Sequence, residues 1–430
     1  HKIWVVNVGD LKPMEFPIEF FLTFAWAPDL WPYERLEEYG RLWATREFGP
    51  THAAEIGAMI AAYSKFNRRR SPELLSPETY SLVNYHEADT VVAEYNALAD
   101  RAERVLNELA LEYRDAFFQL VYWPVKASAN LNELYVAAGK NHLYGAQGRA
   151  ATNVMARRVR ELFAADAELT RAYNEDLAGG KWNHFADQVH IGYTYWQQPP
   201  RQTMPPVTEV HPTKRSEFAV AVEGQRHSWG PGNGGPGTAE LPVIDVYANQ
   251  SRSIDVFNRG MEPFSYQATA SEPWVRVQPS GGTVEMQTTL LVTVDWDRAP
   301  TGSHRPTIDI EDEQGRKISV QVPVFFPEAP ARDSIQGFVE SDGHVAIEAE
   351  HFSRAVQTGG VIWKVLGGFG RTLSGVAPFP VTAVSQSPAG DSPRLEYDLH
   401  LFTTGEISVT LITAPTINFV PGRGLRCLLY

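Results

Sequence analysis

A change of hydrophobic period divides this chain and constrains its fold more than any single motif. Between residues 89 and 111, Val91, Val92, Tyr95, Leu98, Ala102, Val105, Leu106 and Leu109 recur at helical spacing. Glu94, Asp100, Arg101, Glu103, Arg104 and Glu108 supply the opposite, charged face, and Asp89 is the expected N-cap. Met155, Val159, Leu162 and Phe163 repeat the pattern, and Gly179-Gly180 read as a stop. Ser76-Pro77-Glu78-Thr79 reads as a further helix start, with a proline at the first helical position. Helices joined by short loops predict an antiparallel bundle over residues 16–198. A proline-rich stretch from Gln197 to about Lys214 ends it.

Beyond that stretch the period falls to two. Ser253–Phe257, Val275–Val277, Thr289–Val294, Thr307–Ile310 and Ile318–Val324 are short, rich in β-branched residues and separated by turn formers. They predict an Ig-like β-sandwich over 240–328, with 199–239 as linker and loops. Val345–Glu350, Trp363–Leu366, Leu395–Leu401 and Ile407–Ile412 predict a second, incomplete sandwich over 329–430. At the start, Ile3-Trp4-Val5-Val6-Asn7-Val8-Gly9-Asp10 reads as a strand covered on both faces. Residues 1–15 are therefore expected to be the last strand and loop of a severed barrel, and Leu425–Tyr430 a strand just beginning. Both ends read as cuts.

At 430 residues the chain is too long for one ordinary core. Its net charge of −13 argues against nucleic acid or an anionic membrane as partner. Arg68-Arg69-Arg70 is expected to be a solvated helix end, and no apolar run is long enough for a membrane-spanning helix. A single cysteine, Cys427, excludes an intrachain disulfide and a paired-cysteine metal site. Gly230 to Gly237 is glycine-dense but carries two prolines and no lysine, so it reads as a surface loop and not a phosphate cradle.

Four segments, in order, resemble glycoside hydrolase family 115. Asn7 to Glu15 resembles the motif closing that family's barrel, and Gly180 to Trp196 resembles the exit of its helical domain. Val256-Phe257-Asn258-Arg259-Gly260 with Glu272-Pro273-Trp274 and Val294-Asp295-Trp296 resembles its first sandwich, and Ile347 to Phe352 the opening of its terminal domain. The resemblance implies a fragment of an α-glucuronidase that removes α-1,2-linked glucuronic acid, or its 4-O-methyl ether, from xylan. It further implies an inverting mechanism, in which an acid and a base carboxylate stand ~6.5–9.5 Å apart. Those carboxylates are expected upstream of His1, so this chain holds no catalytic residue and is expected to be inactive alone. A secreted or periplasmic location, glucuronoxylan or its oligosaccharides as partner, and a homodimer through the helical domain follow from the same resemblance.

Within the resemblance, Asn7 to Lys12 fall at the carboxy end of a barrel strand, where barrel active sites are built. There the Asn7 amide can bond sugar hydroxyls and the Lys12 ammonium can pair with a uronate. Asp10 can orient Lys12 or meet a hydroxyl. The plainer alternative is that Gly9 and Asp10 form a turn and Lys12 is solvated. His184 and His190 lack the spacing and the placed acid of a zinc pair. With Tyr193, Tyr195 and Trp196, His190 is expected to pack and hydrogen-bond, locking the stretch that follows; sugar stacking and a metal are the alternatives. Trp26, Trp31, Trp43 and Trp123 are expected in the bundle core. Glu348 and Glu350 resemble acids that help hold a structural Ca²⁺ in carbohydrate-binding modules of families 6 and 35. Ca²⁺ needs about six to eight oxygen ligands, however, and two are in view; no cofactor is expected. The competing function is a stand-alone carbohydrate-binding or adhesion protein.

Overall fold

The computed structural model describes residues 3–9, 11–195, 197–231, 235–248, 250–384, 386 and 390–414. Helices α1 (Glu15–Trp26), α2 (Leu36–Phe48), α3 (Ala53–Asn67), α4 (Glu87–Glu108), α5 (Leu111–Phe117), α6 (Trp123–Gln147) and α7 (Thr152–Arg171) come first. Strands follow: β1 (Phe218–Val222), β2 (Ile244–Asp245), β3 (Arg252–Asn258), β4 (Phe264–Ala270), β5 (Val275–Gln278), β6 (Gly281–Val284), β7 (Gln287–Val294), β8 (Gly302–His304), β9 (Thr307–Asp312), β10 (Lys317–Gln321) and β11 (Val324–Phe326). The chain divides into two units: 1–242 with 251–295 and 305–323, and 243–250 with 296–304 and 324–430.

In the first unit the predicted stripe of α4 is inward: Val91, Tyr95, Leu98, Ala102, Val105 and Leu109 are buried. They join Trp43, Phe48, Ile56, Met59, Phe117, Leu134 and Val159 in one core. Asp89 is not the N-cap. His86 caps α4 in a left-handed conformation, and Asp89, one turn in, pairs with Lys140. Nor does Ser76–Thr79 start a helix: the Ser76 N–H donates to Thr79 Oγ1 at 2.8 Å, closing a local turn that competes with helix. Trp43 is buried, Trp31 and Trp123 half-buried, and Trp26, at the end of α1, is 91% exposed. That last position corrects the expectation of core for all four. Arg68 and Arg70 are exposed at a helix end, but Arg69 is not simply solvated: it pairs with Glu94 and lies 4.5 Å from the Phe66 ring centre.

Two antiparallel four-stranded sheets complete this unit, ordered β1-β3-β7-β5 and β10-β9-β4-β6. Phe218 on β1 meets Phe264 on β4 with ring centres 5.6 Å apart. Strand β4 alternates as a half-buried strand should, with Phe264, Tyr266 and Ala268 inward and Ser265, Gln267 and Thr269 outward. Strand β1 lies in the stretch read as linker. It is buried on every residue, so it carries no alternation to betray it. Ile318–Val324, read as one strand, is two, β10 and β11, which join different sheets.

The proline-rich stretch is held down. Asn141 on α6 donates to the Thr208 carbonyl at 2.9 Å and accepts the Thr208 N–H at 2.7 Å. Asn153 on α7 grips Val210 the same way, at 3.0 and 2.9 Å. Each side-chain amide thus replaces a strand partner. Asn141→Ala strands the Thr208 groups and the Thr152 carbonyl, which also takes an Asn141 N–H at 2.9 Å. At ~1 kcal/mol or more per buried group left unpaired, the loss is about 2–4 kcal/mol. It reads as a lower urea midpoint and faster proteolysis between residues 197 and 214; an unchanged midpoint would show that the clamp is idle.

Residues 3–9 form no strand and Ile3, Trp4 and Val5 are largely exposed. The stretch is thus neither a strand nor buried as expected: among the described residues no neighbour offers it a ladder, and a strand alone gains nothing by being extended. In the second unit β2, β11 and β8 form one sheet, and Tyr247 stacks on Phe402 at 5.2 Å. Beyond it lie two-stranded pairs: Phe338–Val339 with Leu399–His400, Arg354–Val356 with Arg394–Glu396, and Ile362–Leu366 with Gly375–Phe379. No second sandwich forms among the described residues. Val345–Glu350 and the exposed Ile407–Ile412 are not strands, and Leu425–Tyr430 lies outside the described residues.

Candidate functional site

The expected site begins in the extended segment before α1. Asn7 is exposed, and its Oδ1 accepts the Gly9 N–H at 3.0 Å, with Gly9 at φ +67°. Its amide nitrogen is given to no protein partner by that turn. Lys12 is half-buried, pairs with Glu15 on the first turn of α1, and sets Nζ 4.5 Å from the ring centre of Trp182. Asp10 lies outside the described residues. Asn7 and Lys12 are thus on one short segment, but Lys12 is braced and not simply solvated.

That bracing joins two segments that resemble the same family. Lys181 lies 4.9 Å from the same Trp182 ring, and Phe185 meets Trp182 edge-on at 5.5 Å. The Glu15 carboxylate is shielded from solvent and has no hydrogen-bond donor among the described residues, its Lys12 ion pair apart. Burial pushes the Tyr173 hydroxyl up to about 12; a hydrogen bond from Gln119 opposes this, and the negative charge of Glu15 adds to it. Two ammonium groups thus gather at one aromatic ring, and a carboxylate pairs with one of them.

Behind it Asn174, which sequence reasoning passed over, organises the 180–190 segment. Its Nδ2 donates to Asp187 Oδ1 at 2.6 Å, and its Oδ1 accepts the Ala186 N–H at 3.0 Å. The other Asp187 oxygen lies 2.7 Å from His184 Nδ1, while His184 is in a left-handed conformation at φ +71°. His190 takes a different partner from His184: its Nε2 lies 2.9 Å from Asp166 on α7. The two histidines are therefore not brought together. Ile191 beside it is in the bundle core, and Tyr195 is exposed with its hydroxyl donating to Gln197 at 3.2 Å. Trp196 lies outside the described residues.

The sandwich motif Val256–Gly260 is a junction. Arg149, 2% exposed, donates to Asp255 at 2.9 Å and Gln287 at 3.2 Å, with its guanidinium 4.3 Å from both the Tyr144 and Phe257 ring centres. Asn258 is fully buried. Its carbonyl accepts the Ala150 N–H at 2.8 Å, and its side chain serves Glu217, Gly260 and Glu262 backbone groups at 3.0, 2.8 and 2.7 Å. Arg259 donates to the Gln147 carbonyl at 2.9 Å; burial holds its guanidinium below the ordinary value. Arg149, Arg259 and the Asn258 carbonyl thus join bundle to sheet, while the Asn258 side chain orders the sheet's own edge.

Glu348 and Glu350 are not on a strand. Glu348 accepts a hydrogen bond from Thr372 and Glu350 lies beside His351, and no group of three or more His, Cys, Asp or Glu is placed to hold a metal among the described residues. A cleft of about 290 Å³ runs over α6 between α4 and α7, floored by Val92, Val136 and Met155. Ion pairs Lys140–Asp89 and Arg158–Glu133 are set along its lining.

Residues 1–74 match the family model described as glycosyl hydrolase family 115, and residues 337–429 match the model described as that family's C-terminal domain. Among solved structures the chain is similar to a family 115 4-O-methyl-alpha-glucuronidase with specificity for decorated arabinogalactans. That likeness has 17% identity over 75% of this chain and 46% of the other, with a TM-score of 0.39. A Bacteroides ovatus family 5 xyloglucanase is matched at 14% identity over 27% of this chain and 21% of the other, with a TM-score of 0.19. A PapD-like domain of a human protein is matched at 11% identity over 31% of this chain and 99% of the other, again with a TM-score of 0.19. The chain thus spans less than half the length of the glucuronidase it matches. No curated protein matches it.

Proposed function

Both terminal segments of the chain belong to glycosyl hydrolase family 115, and from that premise we infer that it is the supporting part of an inverting α-glucuronidase. The enzyme removes α-1,2-linked glucuronic acid, plain or 4-O-methylated, from xylan. A polymeric substrate of that kind places it outside the cell or in a periplasm. The chain supplies frame and a strip of active-site wall, and the acid and base carboxylates stand on a barrel it adjoins.

One observation carries this reading: the family segment 1–74 contains an apolar surface that a lone domain has no use for. Ile3, Trp4 and Val5 are exposed, and α1 buries none of its residues fully while exposing Leu22, Phe24 and Trp26. Large apolar side chains exposed in this number are covered in a working protein. Barrel strands cover the first run, and the rest suits a homodimer through the helices. At the edge of that surface Lys12 spends one of its three N–H donors on Glu15 and keeps others for a uronate carboxylate, while the Asn7 amide bonds sugar hydroxyls.

Incubated with glucuronoxylan, the chain alone is expected to release no uronic acid; measurable release would place the catalytic carboxylates within it. Joined to its barrel, Lys12→Met is expected to lower kcat/KM on glucuronoxylan by about 10–100-fold, the worth of one charge-assisted hydrogen bond. An unchanged kcat/KM would remove Lys12 from the substrate site.

A further inference from the structure

Two hydrogen bonds that exclude one another converge on a single nitrogen of His190. Its Nε2 lies 2.9 and 3.0 Å from the two Asp166 oxygens, so Nε2 carries a hydrogen in either charge state. Its Nδ1 lies 2.9 Å from the Gln188 carbonyl and 3.0 Å from Gln202 Nε2. A carbonyl only accepts and an amide nitrogen only donates, so Nδ1 satisfies one of them at a time. Flipping the Gln202 amide is no escape. Its Oε1 already accepts the backbone N–H groups of His190 and Ile191, at 3.1 and 2.7 Å.

Neutral His190, with its hydrogen on Nε2, accepts from Gln202. The imidazolium instead donates to the Gln188 carbonyl and turns an N–H toward the Gln202 donor. Gln202 matters because, with the Thr203 N–H donating to the Ile191 carbonyl at 3.2 Å, it ties residues 190–191 to 202–203. The lower jaw is fixed: Ile191 is in the bundle core and the Gly192 N–H donates to the Tyr135 hydroxyl at 3.3 Å. Between the jaws run residues 193–195 and 197–201.

We propose that protonation of His190 moves Nδ1 from Gln202 to the Gln188 carbonyl, and that this opens the tie and loosens residues 193–195 and 197–201. The device is a pH-sensitive latch on the segment leaving the bundle. The groups bearing on the ring are Asp166 on α7 and Glu73 on the turn before α4, with Tyr135 on α6 across Gly192. Burial disfavours the charged ring, but the hydrogen bond and charge of Asp166 outweigh it, so the ring titrates above the ordinary histidine value. A raised value adds stability that is fully present below the unfolded pKa, ~6.5, and is lost as pH rises through the folded one. Acid therefore strengthens the His190–Asp166 pair while it opens the latch, and the two effects have opposite signs.

That opposition supplies the test. Hydrogen exchange of the full chain is followed across about pH 6 to 9, corrected for intrinsic rates, beside its urea stability. Protection in 193–195 and 197–201 is expected to fall several-fold toward acid while global stability does not fall. Gln202→Glu, whose carboxylate accepts the Nδ1 hydrogen of the imidazolium, keeps the stretch protected on the acid side, and His190→Gln makes its exchange independent of pH. The proposal is overturned by a flat profile in the wild type, by loss of protection that tracks global unfolding, or by His190→Gln retaining the wild-type profile.

Discussion

Arg149→Met lowers the stability of the helical unit by about 3–5 kcal/mol in urea unfolding, the range for breaking a buried ion pair from one side. Arg149 is 2% exposed, so its departure opens a cavity between the Tyr144 and Phe257 rings. It also takes the donors from Gln147, bonded at 2.6 Å, and from Gln287. Asp255 is less harmed, being half-exposed and still held by the Thr289 hydroxyl at 2.7 Å. The greater part of the loss is therefore packing and stranded amides, and Arg149→Lys, which keeps the charge, recovers little of it. A double-mutant cycle with Asp255→Asn gives a coupling of about 1–3 kcal/mol. A loss below 1 kcal/mol for Arg149→Met would mean that the seam between helices and sheet is not formed through this side chain.

Gly260→Ala is expected to cost about 4 kcal/mol or more, for a different reason. A Cβ at Gly260 would stand 1.7 Å from the Arg215 carbonyl oxygen and 2.9 Å from its carbon. Both are backbone, so nothing flexible can yield. The chain at 213–217 must move, and with it the Asn258 side chain that bonds the Glu217 and Gly260 N–H groups. Damage on that scale belongs to the small class of large mutational effects with a named cause. Thermal unfolding and circular dichroism of the variant decide the matter; a Tm within a few degrees of wild type would show that the two backbones do not approach so closely.

The sequence's legibility followed periodicity. α4 could be read because Val91, Tyr95, Leu98, Ala102 and Val105 all answer to one helical face. The sheet strands could be read wherever one face is wet, as in β7 and β9. What escaped did so for physical reasons. β1 is wet on neither face, so Phe218–Val222 looks like any short apolar run. Ser76–Thr79 carries helix-start chemistry that its own side chains satisfy as a turn. The left-handed His86 displaced Asp89 from the cap, and no pattern of residue types announces that. For the candidate site, Asn7 and Lys12 could be named from the strand-end motif, but the partners of Lys12 are distant in sequence. Trp182 and Tyr173 meet Glu15 and Lys12 through folding alone. Asn174, Asn258 and Arg149 were unreadable for the same reason: a buried polar residue looks like a surface one until its partners are in place.

The asparagine clamps on the proline-rich stretch bear on how such a chain can be recombined. Composition marks residues 197–214 as the natural crossover point, a place to exchange one sheet module for another. Asn141 and Asn153 make it a poor one, since a foreign segment must offer a backbone N–H and C=O at Thr208 and Val210 in the same register. A chimera joined there also inherits mismatched neighbours at Arg149 and Asn258. Bundle and sheets are thus expected to be inherited as one block, with viable junctions lying outside it.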